Sequence, residues 1–180
     1  MIWGWLIIAA TFPGVIVHEA AHVIACRLLG VTVYEVRFLQ IDRNLGYVLH
    51  APAPNLFSTL LIATGPLVIN SLICLALAMP ASIPRDIFGA TGWGTGLILW
   101  LAVSCGVHAF PSRADIAAIW EHASSAGRFR RIRQILIWPL ATTLSGLNLL
   151  TILWFDIIFG IVVAAFGPRW ILKGIAHLIA

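Results

Sequence analysis

Long apolar runs alternate along this chain with short polar stretches, and the polar stretches differ in kind. The first run, residues 2–29, ends at Gly30 and contains Pro13-Gly14, which predicts a kinked helix. Residues 31–52 follow a different rhythm. Val31, Val33, Leu39 and Ile41 give apolar and β-branched alternation, and "RNLG" at 43–46 is turn-like. A β-hairpin is predicted here, because Glu35, Arg37, Asp42 and Arg43 exclude a membrane span. A second run covers 56–79, with Gly65-Pro66 expected to break it in the middle. A Pro- and Gly-containing loop is expected over 80–95. A third run, 96–110, is too short to cross as a straight helix and stops at Pro111. A polar helix is predicted over 113–126, followed by the basic "RFRRIR" at 128–133. The last apolar stretch, 134–166, carries Pro139, a weak break at "SGLN" and an internal Asp156. It reads as one long tilted helix or two short ones, and the tail from Arg169 as an interfacial amphipathic helix.

Composition sharpens this picture. Of 180 residues, 61% are hydrophobic and only 10% charged, against about a quarter charged in soluble domains. The expected fold is an α-helical integral membrane protein. It has about four to five transmembrane helices and a small membrane-associated β-hairpin after the first. The N-terminal run lacks a basic leader region and stays apolar to residue 29, so it reads as a retained span rather than a signal peptide. The net charge of +4 does not indicate nucleic-acid binding, because the arginines sit between apolar runs where topology signals belong. Arg37 and Arg43 lie in the loop 30–55, with Arg27 just before it. Arg113, Arg128, Arg130, Arg131 and Arg133 lie in 112–133, against Arg85 alone in 80–95. The first and third loops are therefore expected on the cytoplasmic side and the N-terminus outside. The "RFRRIR" run is expected to face anionic lipid. Cys26, Cys74 and Cys105 show no metal-type pairing and read as small buried hydrophobes.

One stretch of the first run resists the membrane reading. "HEAAH" places His18, Glu19 and His22 where polar groups are costly, about 2.5–3.5 kcal/mol for each ionisable group even on a lenient scale. His18 and His22 are four residues apart and share one helix face. Two imidazoles at that spacing bind one Zn²⁺, with Glu19 beside it as general base. With this composition the motif arises by chance on the order of 0.003 times per chain. At 1.5 Å per residue, His22 lies about 7–8 Å and His18 about 13–14 Å below Arg27, so the metal is expected within the membrane on its cytoplasmic side. A catalytic zinc needs a third protein ligand and an open position for water. The candidates are Asp115, Asp156, His50, His108, His122 and His177. Asp115 is preferred, because it follows the Pro111 break on the same side as the histidine pair; its other reading is a helix N-cap or a partner of Arg113 or Arg128.

Taken together, these motifs resemble the site-2 protease family of intramembrane zinc metalloproteases, in a minimal prokaryotic form. "HEAAH" resembles its zinc motif, residues 31–50 its membrane-associated sheet, "TGPLVIN" at 64–70 its Gly-Pro…Asn motif, and "HAFPSRAD" at 108–115 its Asn/Pro…Asp motif. His108 stands where that family usually has asparagine, Asp115 lacks the usual following glycine, and Asn70 is one residue further from Gly-Pro than is usual. The resemblance covers about residues 1–125, which it implies are a metalloprotease core. Residues 126–180 then hold a basic loop, the C-terminal span or spans, and the tail. It implies one Zn²⁺ on His18, His22 and Asp115, Glu19 as catalytic base, and substrate backbone held near Gly65, Pro66 and Asn70. It implies hydrolysis of a peptide bond in or near a transmembrane segment of a protein or peptide substrate, in a prokaryotic cell membrane, with the site toward the cytoplasm. A membrane metal-binding or transport protein, or a proteolytically inactive scaffold, is the alternative for the same residues.

Overall fold

The computed structural model describes residues 2–40, 46–89, 92–125 and 130–179. Helices α1 (Ile2–Ala10) and α2 (Phe12–Leu28) take up the first apolar run. The break falls at Thr11, and Pro13 sits in the first turn of α2, where no intrahelical N–H is needed. Gly30, with φ +67°, ends α2. Its N–H bonds to the Arg27 carbonyl and that of Val31 to Cys26, which satisfies two orphan carbonyls. Strands β1 (Val33–Arg37) and β2 (Tyr47–His50) pair antiparallel, with Val33 opposite His50 and Arg37 opposite Tyr47. The predicted hairpin is present; of its "RNLG" turn, residues 43–45 lie outside the described residues.

Helix α3 (Leu56–Phe88) runs through Gly65-Pro66 without interruption, contrary to the expected break. Proline's fixed φ is itself helical, so one missing N–H need not end a helix. The same helix continues past residue 79, leaving little of the expected 80–95 loop. It is followed by α4 (Trp93–Val107), the polar α5 (Arg113–Ser124), α6 (Arg130–Leu150) and α7 (Phe155–Ile179). The last apolar stretch is thus two helices. They are joined by a 3₁₀ turn at Thr151–Leu153, and Trp154 adopts the left-handed conformation at φ 65°. The break falls after "SGLN", and the tail continues α7 through Pro168 instead of forming a separate helix.

Three helices among the described residues are long and apolar enough to cross a membrane: Leu56–Ser82, Arg130–Leu153 and Phe155–Ile179. This is fewer than the four to five expected. The break at Thr11 divides the first run into helices of 9 and 17 residues, and α4 has 15, all short of the about 20 a straight crossing needs.

Small residues let the short helices approach. A Cβ on Gly14 of α2 would fall 1.8 Å from the Ser104 carbonyl oxygen of α4, and one on Gly106 of α4 would fall 2.5 Å from Gly160 Cα of α7. Cys74, Ala102, Cys105 and Ala164 pack together there, joining α3, α4 and α7. A second core of Ala63, Ile116, Ile119, Ala123, Ile137, Ala141 and Leu144 clamps α5 between α3 and α6. That clamp brings the start of α5 against the histidines of α2.

Candidate metal centre

His18, Glu19 and His22 are all buried on α2. The His18 and His22 Nε2 atoms face each other at 3.2 Å. Asp115 closes the group. Its Oδ1 lies 3.4 Å from His22 Nε2 and its Oδ2 lies 3.9 Å from His18 Nε2. Ligands about 2.0–2.1 Å from a tetrahedral ion are separated by about 3.3 Å, so the spacing fits a single zinc-sized cation. Among the described residues, this is the one group of three or more His, Cys, Asp or Glu side chains close enough to hold a metal.

The protonation pattern points the same way. His18 Nδ1 is 2.7 Å from the His108 carbonyl oxygen, and His22 Nδ1 is 3.0 Å from that of Ile62. A carbonyl only accepts, so each ring carries a proton on Nδ1 and turns its Nε2 inward, toward the other ring and Asp115. With both Nδ1 atoms committed, the two Nε2 atoms at 3.2 Å are left to share a cation, a proton or a metal ion.

Asp115 is placed by the start of its own helix. Ser112 and Asp115 form a capping box: Ser112 Oγ accepts from the Asp115 N–H at 3.2 Å, and the Ser112 N–H and hydroxyl donate to Asp115 Oδ2 at 2.7 and 2.6 Å. The cap and ligand readings of Asp115 are therefore compatible. Oδ2 is held by Ser112, while Oδ1 is turned to His22. Burial works against ionising this carboxyl; hydrogen bonds from His22 and Ser112 outweigh it and hold the group below the ordinary aspartate range.

Among the described residues, cavities open onto this group from three directions. One of about 530 Å³ lies between β2 and the start of α5, lined by Glu19, His22, Tyr47, His50 and Asp115. A second, of about 230 Å³, reaches His18 and Glu19 past Phe110, Asn148 and Asp156. A third, of about 370 Å³, runs along Asp115, Thr59, Ala63 and His122. Glu19 lines the first two, and among the described residues no hydrogen bond or ion pair restrains its carboxylate. Gly46 presses on it from the hairpin, where a Cβ would come within 2.7 Å of Glu19 Cγ.

The structure thus brings His18, Glu19, His22 and Asp115 together. It does not bring Gly65, Pro66 or Asn70 into these cavities. Asn70 is fully buried, and its amide nitrogen donates to the carbonyls of Gly14, Cys105 and His108 at 3.1, 3.2 and 3.0 Å. Pro66 is also fully buried, and Gly65 lies against Ala21 and Ala25 of α2. Of the other candidate ligands, the His108 ring bonds Thr11 at 2.8 Å and the His122 ring bonds Thr59 at 3.1 Å. His50 and Asp156 line cavities without joining the cluster, and His177 is exposed on the tail. The partners that residue types did not reveal are backbone carbonyls, those of Ile62 and His108. Comparison with protein-family models, with curated proteins and with solved structures finds no match to this chain.

Proposed function

We propose that this chain is an intramembrane zinc metalloprotease. It would hydrolyse a peptide bond in or near a transmembrane segment of another protein, in a cell membrane with its site toward the cytoplasm. One observation carries the reading: two inward-facing Nε2 atoms and a carboxylate at tetrahedral spacing, with Glu19, unpaired among the described residues, beside them. Bound zinc would supply Lewis-acid polarisation of the scissile carbonyl and acidification of the attacking water. Glu19 accepts the proton of that water on its carboxylate and delivers it to the departing amine. Ser112 keeps Asp115 in place, and the hairpin and α5 wall the larger cavity. A transmembrane location is supported by the three long apolar helices and the high mean hydropathy of +0.98. The two arginine-bearing loops share one cavity, which supports placing them on the same side of the bilayer.

The test uses the full chain in detergent or nanodiscs with a transmembrane model substrate. The expected result is one zinc per chain, cleavage by the wild type, and a Glu19→Gln variant that keeps zinc while cleavage falls at least about 100-fold. A metal transporter or inactive scaffold shows no cleavage in either form, and that result would overturn the proposal.

A further inference from the structure

Gly65-Pro66 lies inside a continuous helix and outside the three cavities described around the metal group. A buried proline in mid-helix normally costs a hydrogen bond. The bond it removes is the one its own N–H would donate to the carbonyl four residues earlier, and that carbonyl belongs to Ile62. The Ile62 oxygen is the atom that accepts from His22 Nδ1, at 3.0 Å across the α2–α3 interface.

We propose that Pro66 is a positioning residue that orients His22 by leaving the Ile62 carbonyl without its intrahelical donor. The vacated lone pair takes the Nδ1 proton. That commits Nδ1 of His22 to the Ile62 carbonyl and aims its Nε2 at His18 and Asp115. Gly65 lies beside this contact, where a Cβ would meet Ala25 and the Ala21 carbonyl of α2 at ordinary van der Waals distances. The other ligand histidine is served by an equivalent device. His18 Nδ1 bonds the carbonyl of His108, which caps the C-terminal end of α4, where carbonyls also lack helical donors. Two different interruptions of helical hydrogen bonding, one inside α3 and one at the end of α4, thus each furnish a carbonyl acceptor for one imidazole.

The inference rests on the proposed metal centre and is tested by zinc affinity and ring protonation, independently of cleavage. Zinc is titrated against a chromophoric chelator with the full chain in detergent. Pro66→Ala restores an N–H that competes for the Ile62 oxygen and is expected to weaken zinc binding about tenfold. Gly65→Ala is the control for the α2–α3 contact. Its Cβ would sit at an ordinary 3.5 Å from Ala25 Cβ and leave the Ile62 carbonyl untouched, so wild-type affinity is expected. Equal affinity in the Pro66 variant and the wild type overturns the inference, as does equal weakening in both variants, which would mean a general packing role. Ring ¹⁵N spectra of the metal-free wild type decide the matter even if Pro66→Ala does not fold. His22 protonated on Nδ1 is the expected result, and a ring protonated on Nε2 alone overturns the proposal. A wild type that takes up no zinc, yet shows His22 protonated on Nδ1, refutes the metal centre and leaves the orientation standing.

Discussion

Asn70 and His18 share an acceptor. The His108 carbonyl oxygen receives the Asn70 amide at 3.0 Å and the His18 ring at 2.7 Å, so one atom at the end of α4 ties α3 to the candidate metal ligand on α2. Replacing Asn70 with leucine keeps the volume and removes the two N–H groups shared among the Gly14, Cys105 and His108 carbonyls, leaving these with fewer partners. A loss of about 1–2 kcal/mol is expected, read as a lowered unfolding midpoint in detergent. The Asn70 Oδ1 atom is already without a partner among the described residues, which keeps the net loss from being larger.

Gly46 bears on Glu19 from the hairpin. A methyl group at that position would meet Glu19 Cγ at 2.7 Å and the Arg37 and Phe38 carbonyl oxygens at 3.0 and 3.1 Å. The backbone oxygens cannot retreat easily, so the glutamate moves. Gly46→Ala is expected to bind zinc as the wild type does and to cleave about 10- to 100-fold more slowly, because a general base displaced by about 1 Å loses its alignment. Parallel zinc titration and cleavage assays check this. A variant with unaltered cleavage shows that the hairpin does not set the position of Glu19.

Ser112→Ala removes one half of the capping box. Helix α5 should lose about 1 kcal/mol at its N-terminus. Asp115 loses the hydroxyl that holds its Oδ2, and zinc affinity should fall about tenfold. The distinguishing measurement is the comparison with Ser112→Thr, which keeps the hydroxyl and should bind zinc like the wild type.

At Gly14 the expected effect is structural. Its Cβ would overlap the Ser104 carbonyl of α4 at 1.8 Å, a backbone atom that moves only with its helix. Gly14→Ala should force α2 and α4 apart and lower stability by about 1–3 kcal/mol or more, seen as early thermal unfolding. Because Asn70 donates to the Gly14 carbonyl, Asn70→Leu and Gly14→Ala should be non-additive in combination.

The hairpin, the polar helix after Pro111 and the pairing of His18 with His22 were legible along the chain because each depends on local periodicity. The helix boundaries were less so. Thr11 ends α1 before the proline that marked the expected kink, and α3 passes through a Gly-Pro pair that ordinarily signals a break. In the second case the local cost is one hydrogen bond, and a histidine from another helix engages the carbonyl left behind. No pattern within α3 announces that partner.

The sequence by itself determined an apolar helical chain with two imidazoles and a glutamate on one helix, because a spacing of four is a property of the helix alone. Tertiary structure decided which of six candidates stands third beside them and which oxygens hold the two rings. Asp115 reaches the histidines only because a core shared by α3, α5 and α6 places the start of α5 there. The oxygens on Ile62 and His108 are main-chain atoms common to every residue, so only the packing of α3 and α4 against α2 could single them out.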